Sequence, residues 1–114
     1  MTDRYIRDGM VAVLISDQHG AGWSTWADPV CWPDIMFDPW IVDLMLSQSY
    51  TQQQINDRIR AHCAVKYFDC HPVNLYSAPV LKIHWVPVGS VFRVVEYDGL
   101  ESIEFRDQIE WLVA

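Results

Sequence analysis

Apolar residues fill Met10 to Ser16, MVAVLIS, on both alternating sets of positions, with β-branched side chains at Val11, Val13 and Ile15. That pattern predicts a central strand covered on both faces. After Pro79 the period becomes two. In VLKIHWV, Leu81, Ile83 and Trp85 fall on one face and Lys82 and His84 on the other, which predicts a half-buried strand with His84 outward. PVGS then supplies a turn, VFRVVEY a further strand, and Asp98-Gly99 a two-residue hairpin turn; ESIEF and IEWLVA complete the sheet.

Between these strands the period lengthens to that of helices. FDPWIVDLMLSQ opens with Asp38 as cap, Pro39 in the first helical position, and Phe37 placed to staple against Val42. Its helix is apolar nearly all round, which implies burial on several sides or an interface, and on the second ground a homodimer. SYTQQQINDRIRAHCAVKYF carries a Thr51-x-x-Gln54 capping box, with Tyr50 and Ile55 as the staple and Ile55, Ile59 and Cys63 as a narrow apolar stripe. The segment ADPVCWPDIM is expected to be irregular, because Pro29 and Pro33 cannot join a ladder. The predicted architecture is a single α+β domain over 1–114: one mainly antiparallel sheet of four to five strands, with two helices packed on one face.

With 51% hydrophobic and 20% charged residues in 114, one core is expected and disorder is not. Six Trp, five Tyr and four Phe exceed what so small a core holds, so part of that aromatic surface should face a groove or a partner. The formal net charge is −7, and no Lys or Arg stands between Asp8 and Asp57. A direct grip on nucleic acid is therefore not expected, since backbone affinity needs cations to neutralise phosphates. No secretory leader and no run of membrane-spanning length is visible, which predicts a cytoplasmic protein without membrane contact. The three cysteines, Cys31, Cys63 and Cys70, have no disulfide-framework spacing and suit a reducing compartment.

The loop HGAGWSTW, residues 19–26, follows the first strand directly. Gly20 and Gly22 would let backbone amides approach a ligand, Ser24 and Thr25 offer hydroxyls, and Trp23 and Trp26 offer rings for stacking. The loop lacks the third glycine of a dinucleotide fingerprint and the Gly-Lys-Ser/Thr ending of a phosphate loop. Any phosphate would need cations from elsewhere, with Arg58, Arg60, Lys66 and Arg93 as the suppliers. A second candidate surface is the acidic C-terminal hairpin, where Glu96, Asp98, Glu101 and Glu104 could meet a basic partner. His62-Cys63 and Cys70-His71 do not match the pair spacing of structural zinc, so neither metal nor other cofactor is expected. A triad of Ser24, a histidine and an aspartate can be drawn in almost any chain with four histidines and fifteen acids, so no catalytic residue is assigned.

The segments VAVLIS…GAGWSTW, VPVGSVFRVVEYDGLESIE and the terminal WLVA together resemble a group of small proteins encoded by tailed bacteriophages and prophages. The resemblance implies an accessory protein acting in the bacterial host cell and brings no catalytic residues with it. The expectation is a non-enzymatic binding protein that counters host defence by sequestering a nucleotide-like small molecule. The alternatives are an acidic, nucleic-acid-mimicking inhibitor of a host nuclease or defence complex, and a small hydrolase using Ser24 or His19.

Overall fold

The structure, a computed structural model, describes residues 3–18, 20, 22–27, 29–67 and 80–106. The chain is α+β and layered. A three-stranded antiparallel sheet, in the order β1 (Ile6–Arg7), β2 (Met10–Ser16), β3 (Leu81–Pro87), lies between a helical layer and a separate two-stranded sheet of β4 (Phe92–Tyr97) and β5 (Leu100–Phe105). The predicted central strand is therefore β2, between β1 and β3. Its Ala12 and Leu14 belong to the core shared with the helices, and its Val11, Val13 and Ile15 to the core beneath the hairpin.

Among the described residues the strands form two sheets and not one: no ladder joins β3 to β4, and the Val88–Gly89 turn, with Gly89 at φ +86°, carries the chain from one sheet to the other. The hairpin then packs face to face, placing Phe92, Val94, Ile103 and Phe105 on Val11, Val13, Ile15, Phe37 and Val86. His84 consequently points toward the hairpin layer and is half-buried; burial, followed by the nearby Lys82 charge, lowers its pKa. The predicted Asp98-Gly99 turn is present, with φ of 50° and 89°, positive at both positions as a type I′ turn requires. Asp8 and Gly9, at 54° and 75°, make an equivalent turn between β1 and β2. The strand expected in IEWLVA lies outside the described residues.

The segment expected to be irregular is helical. Pro29–Cys31 forms a 3-10 helix and Trp32–Phe37 forms α1, because a proline in the first turn removes an amide that has no helical partner anyway. Pro39 then pushes the residue before it out of helical geometry. Asp38 accordingly sits at φ −49°, ψ 104°, ending α1 and capping α2 (Pro39–Leu46) through Trp40 N and Ile41 N. Most of the apolar surface of α2 is covered within the chain, Ile41, Val42 and Leu44 being buried and Met45 and Leu46 packing against the same core, while Trp40 is 44% exposed. Phe37 and Val42 lie in different core clusters. The predicted capping box of α3 (Gln52–Lys66) is complete, and Ile59 and Cys63 of its stripe are buried.

Cys31 is disulfide-bonded and Cys63 is a free, buried thiol; Cys70 lies outside the described residues. This overturns the expectation of three reduced cysteines, since spacing along the chain does not report distance in the fold. Under denaturing, non-reducing conditions an alkylating reagent should label Cys63 and spare Cys31 until reductant is added. Labelling of Cys31 without reductant would show that the bond is not formed in solution.

Candidate functional site

The glycine loop is organised around one carboxylate. On β5, Glu101, Ile103 and Phe105 share the inward face, opposite Glu96, Val94 and Phe92 on β4, because side chains alternate along a strand. Ile103 and Phe105 meet apolar surface, and Glu101 meets the loop. Its Oε1 accepts from Ser16 N at 2.8 Å, and its Oε2 accepts from Trp23 N at 3.1 Å, Thr25 N at 3.0 Å and Thr25 Oγ1 at 2.6 Å. With Glu101 only 3% exposed, these four donors replace the water it has lost. The amides expected to approach an external ligand thus hold an internal one.

The remaining loop residues follow from this anchor. Trp23 is 1% exposed, with its Nε1–H donating to Ile35 O at 3.2 Å, so it is a core residue. Ser24 is fully buried, and among the described residues its hydroxyl has no hydrogen-bond partner and no base positioned on it. Gly22 is buried against Trp26: a Cβ there would stand 2.5 Å from Cγ of that ring. Gly20, at φ +79°, donates its amide to Asp98 O in the hairpin turn. Trp26 alone of the loop's two indoles reaches solvent, at 37%, with Nε1–H donating to Glu96 Oε2. His19 lies outside the described residues.

Of the expected cations, Arg58, Arg60 and Lys66 lie on α3 and Arg93 on β4. The Arg58 guanidinium lies over the Tyr50 ring, 4.3 Å from its centroid, and Arg60 is on the same helix α3. The acidic surface is also reduced. Glu101 is buried, Glu96 accepts from Trp26 Nε1 and Gly99 N, and Glu104 takes Arg93 Nε and Nη2 at 3.1 and 2.6 Å. Asp98 stays exposed at the turn.

Open ring-lined surface occurs instead where α1 faces the start of β4. A groove of about 300 Å³ is lined by Pro29, Trp32, Pro33, Met36 and Phe37 on one wall and by Phe92 and Arg93 on the other. It adjoins a second hollow of about 270 Å³ that shares Phe92 and Arg93 and adds Arg106 and Glu104. Trp32 is 37% exposed, and its Nε1–H donates to Ala27 O at 2.9 Å, which fixes the ring. Arg4 lies over the Phe37 ring at 4.5 Å. Arg93 lines this groove, Arg106 lines the adjoining hollow, and Arg4 contacts the groove's Phe37. The sequence signal for this wall is Pro29 and Pro33 flanking Val-Cys-Trp, since proline suits the first turn of a helix as well as it interrupts a ladder.

A second polar cluster ties the helices together. Asp38, fully buried, accepts Trp40 N and Ile41 N on Oδ1, and on Oδ2 the Tyr67 hydroxyl, His62 Nε2 at 2.9 Å and Lys66 Nζ at 3.3 Å. The His62 ring stacks on Trp40 with centroids 4.1 Å apart and planes 9° apart. Burial alone would raise the Asp38 pKa, but the hydrogen bonds from Tyr67 and His62, with the charges of His62 and Lys66, hold it below the usual range. Burial, and then the Asp38 charge, pushes the Cys63 thiol up to about 12, so it is no nucleophile at neutral pH. Among the described residues no group of three or more His, Cys, Asp or Glu could hold a metal ion, and no helix is long and apolar enough to cross a membrane. Comparison with family models, with curated proteins and with solved structures gives no match, so function is argued from this chain's own residues.

Proposed function

We propose that this chain is a non-enzymatic binding protein that holds a nucleotide-like aromatic anion in the groove between α1 and β4. The observation that carries this reading is the pairing of an exposed, fixed indole, Trp32, with Pro33 and Phe92 as ring surfaces and Arg93 at the rim. Rings stack on such surfaces with little dependence on sequence or substituent, and the Arg93 guanidinium, already paired with Glu104 through Nε and Nη2, keeps further N–H donors for the anion. The volume suits a small ligand, at the lower end of ordinary pockets. This moves the expected ligand from the Trp23–Trp26 loop, whose amides Glu101 occupies, to the surface that loop supports.

The setting in a phage's contest with host defence is supported by the resemblance in VAVLIS…GAGWSTW and the Glu-Tyr-Asp-Gly hairpin. Action in the host cytoplasm belongs to the same proposal; the disulfide at Cys31 is the observation that runs against a reducing compartment. An inhibitor docking through the acidic hairpin has less to support it, because three of the four expected carboxylates are engaged within the chain.

Calorimetric titration with adenosine monophosphate, cyclic nucleotides and ADP-ribose tests the reading. Saturable binding is expected for at least one, and Trp32→Ala should weaken it about 10- to 100-fold, the equivalent of one lost stacking contact. Arg93→Ala should weaken phosphorylated ligands more than the parent nucleoside. No binding across the panel, or binding that ignores both substitutions, overturns it.

A further inference from the structure

We propose that the β4–β5 hairpin is a hinged wall of this groove and that Glu101 is the positioning residue that sets its place. The proposal rests on the groove reading and adds how the site is held shut or open.

One wall, Pro29 to Phe37, belongs to the helical body, and the other, Phe92 and Arg93, belongs to a sheet that, among the described residues, has no ladder to the other sheet. The groove's width is therefore the position of the hairpin relative to α1. The hairpin has six consecutive paired positions closed by a type I′ turn, so it moves as a unit. Its entry is the Val88–Gly89 turn, flanked by exposed Val88 and Val91 and held by Val88 N to Gly9 O and Ser90 N to Pro87 O. Gly89 at positive φ is suited to absorb a backbone rotation there.

The polar ties to the body cluster at the other end. Glu101 takes its four donors from β2 and the loop, Glu96 takes Trp26 Nε1, and Asp98 O takes Gly20 N. From Glu101 to Phe105 is four residues of extended chain, about 13 Å. Glu101 thus fixes one end of a stiff lever whose other end carries Phe92 and Arg93. Loss of its charge leaves the Trp26–Glu96 and Gly20–Asp98 bonds near the turn and apolar packing elsewhere, and apolar packing has no directional preference for one register of Phe92 against Phe37.

Glu101→Gln tests this, because an amide nitrogen would face a backbone N–H and one oxygen would be left for the remaining donors. Should that variant fail to fold, Thr25→Val removes the 2.6 Å donor alone and keeps the charge. Hydrogen exchange and adenosine monophosphate titration are measured on both variants and on the unaltered protein. In the variant, the Trp23 and Thr25 amides should exchange about tenfold faster or more while the β2–β3 ladder keeps its protection. Nucleotide affinity should fall in step, and in the unaltered protein the nucleotide should slow the same amides, as reciprocal coupling requires. Faster exchange spread evenly over β2–β3, or freed loop amides with unchanged affinity, overturns the positioning role. Failure of the unaltered protein to bind the nucleotide falls on the groove reading, and the exchange contrast still decides whether Glu101 fastens the wall.

Discussion

Trp23→Ala should destabilise the protein by about 3–5 kcal/mol, whereas Trp26→Ala should cost no more than about 1 kcal/mol. The two indoles stand three residues apart in one loop, and only their surroundings differ. Trp23 is enclosed with Ile35, Ile41 and Leu14 in the helix-side core and has its Nε1–H on Ile35 O. Removing it opens a cavity in rigid surroundings and leaves a carbonyl oxygen unpaired. Trp26 has a face in solvent and an exposed hydrogen bond to Glu96, which water can replace. Urea unfolding monitored by circular dichroism separates the two through their midpoints, with the slope unchanged. Equal midpoints would place both rings in the same environment and refute the assignment of Trp23 to the core. Nucleotide binding in the Trp26 variant should be unchanged, since Trp32 is the ring that lines the groove.

The legible parts of this fold are those whose causes are local. Asp38-Pro39, the Thr51–Gln54 box and Asp98-Gly99 each act within four residues, and each forms as read. Asp8-Gly9 carries the same turn signal as Asp98-Gly99 and could have been read from it, giving β1. What local pattern does not contain is which strands share a sheet. VPVGS makes a turn in either case, and only the two-faced apolar character of β2 hints that a layer must cover each side. The Glu101 site is legible in one respect. A two-residue Asp98-Gly99 turn sets Glu96 directly opposite Glu101, and two like charges facing each other in a hairpin need partners elsewhere. That those partners are Ser16, Trp23 and Thr25 depends on contacts 76 to 85 residues apart in the chain, which no short window reports. The groove is hidden for the opposite reason: Pro29 and Pro33 carry a local signal with two meanings, since proline breaks a strand and equally suits the first turn of a helix.

Asp38→Ala should cost about 3–5 kcal/mol, and Asp38→Asn distinctly less, about 1–2 kcal/mol. Alanine removes the cap of α2 and takes from half-buried His62 its carboxylate partner, leaving the Tyr67 hydroxyl only Asp34 O at 3.0 Å; asparagine still caps and keeps one acceptor. Lys66 is half in solvent, so its share is small. The same carboxylate gives the protein an acid limit. Because the folded state lowers the Asp38 pKa, the folded protein holds fewer protons there than the unfolded chain, whose aspartates titrate near about 3.9. Its contribution is therefore complete above that value and is lost as pH falls through the lower, folded one. His84, whose pKa is also lowered, acts in a separate window: stability declines as pH falls from about 6.5 toward its folded value. Urea midpoints measured from pH 7 to pH 2 should thus fall in two stages, and Asp38→Asn should flatten only the acid one. An acid limb identical in Asp38→Asn and the unaltered protein would show that the buried cluster at the α2–α3 junction is not what acid breaks.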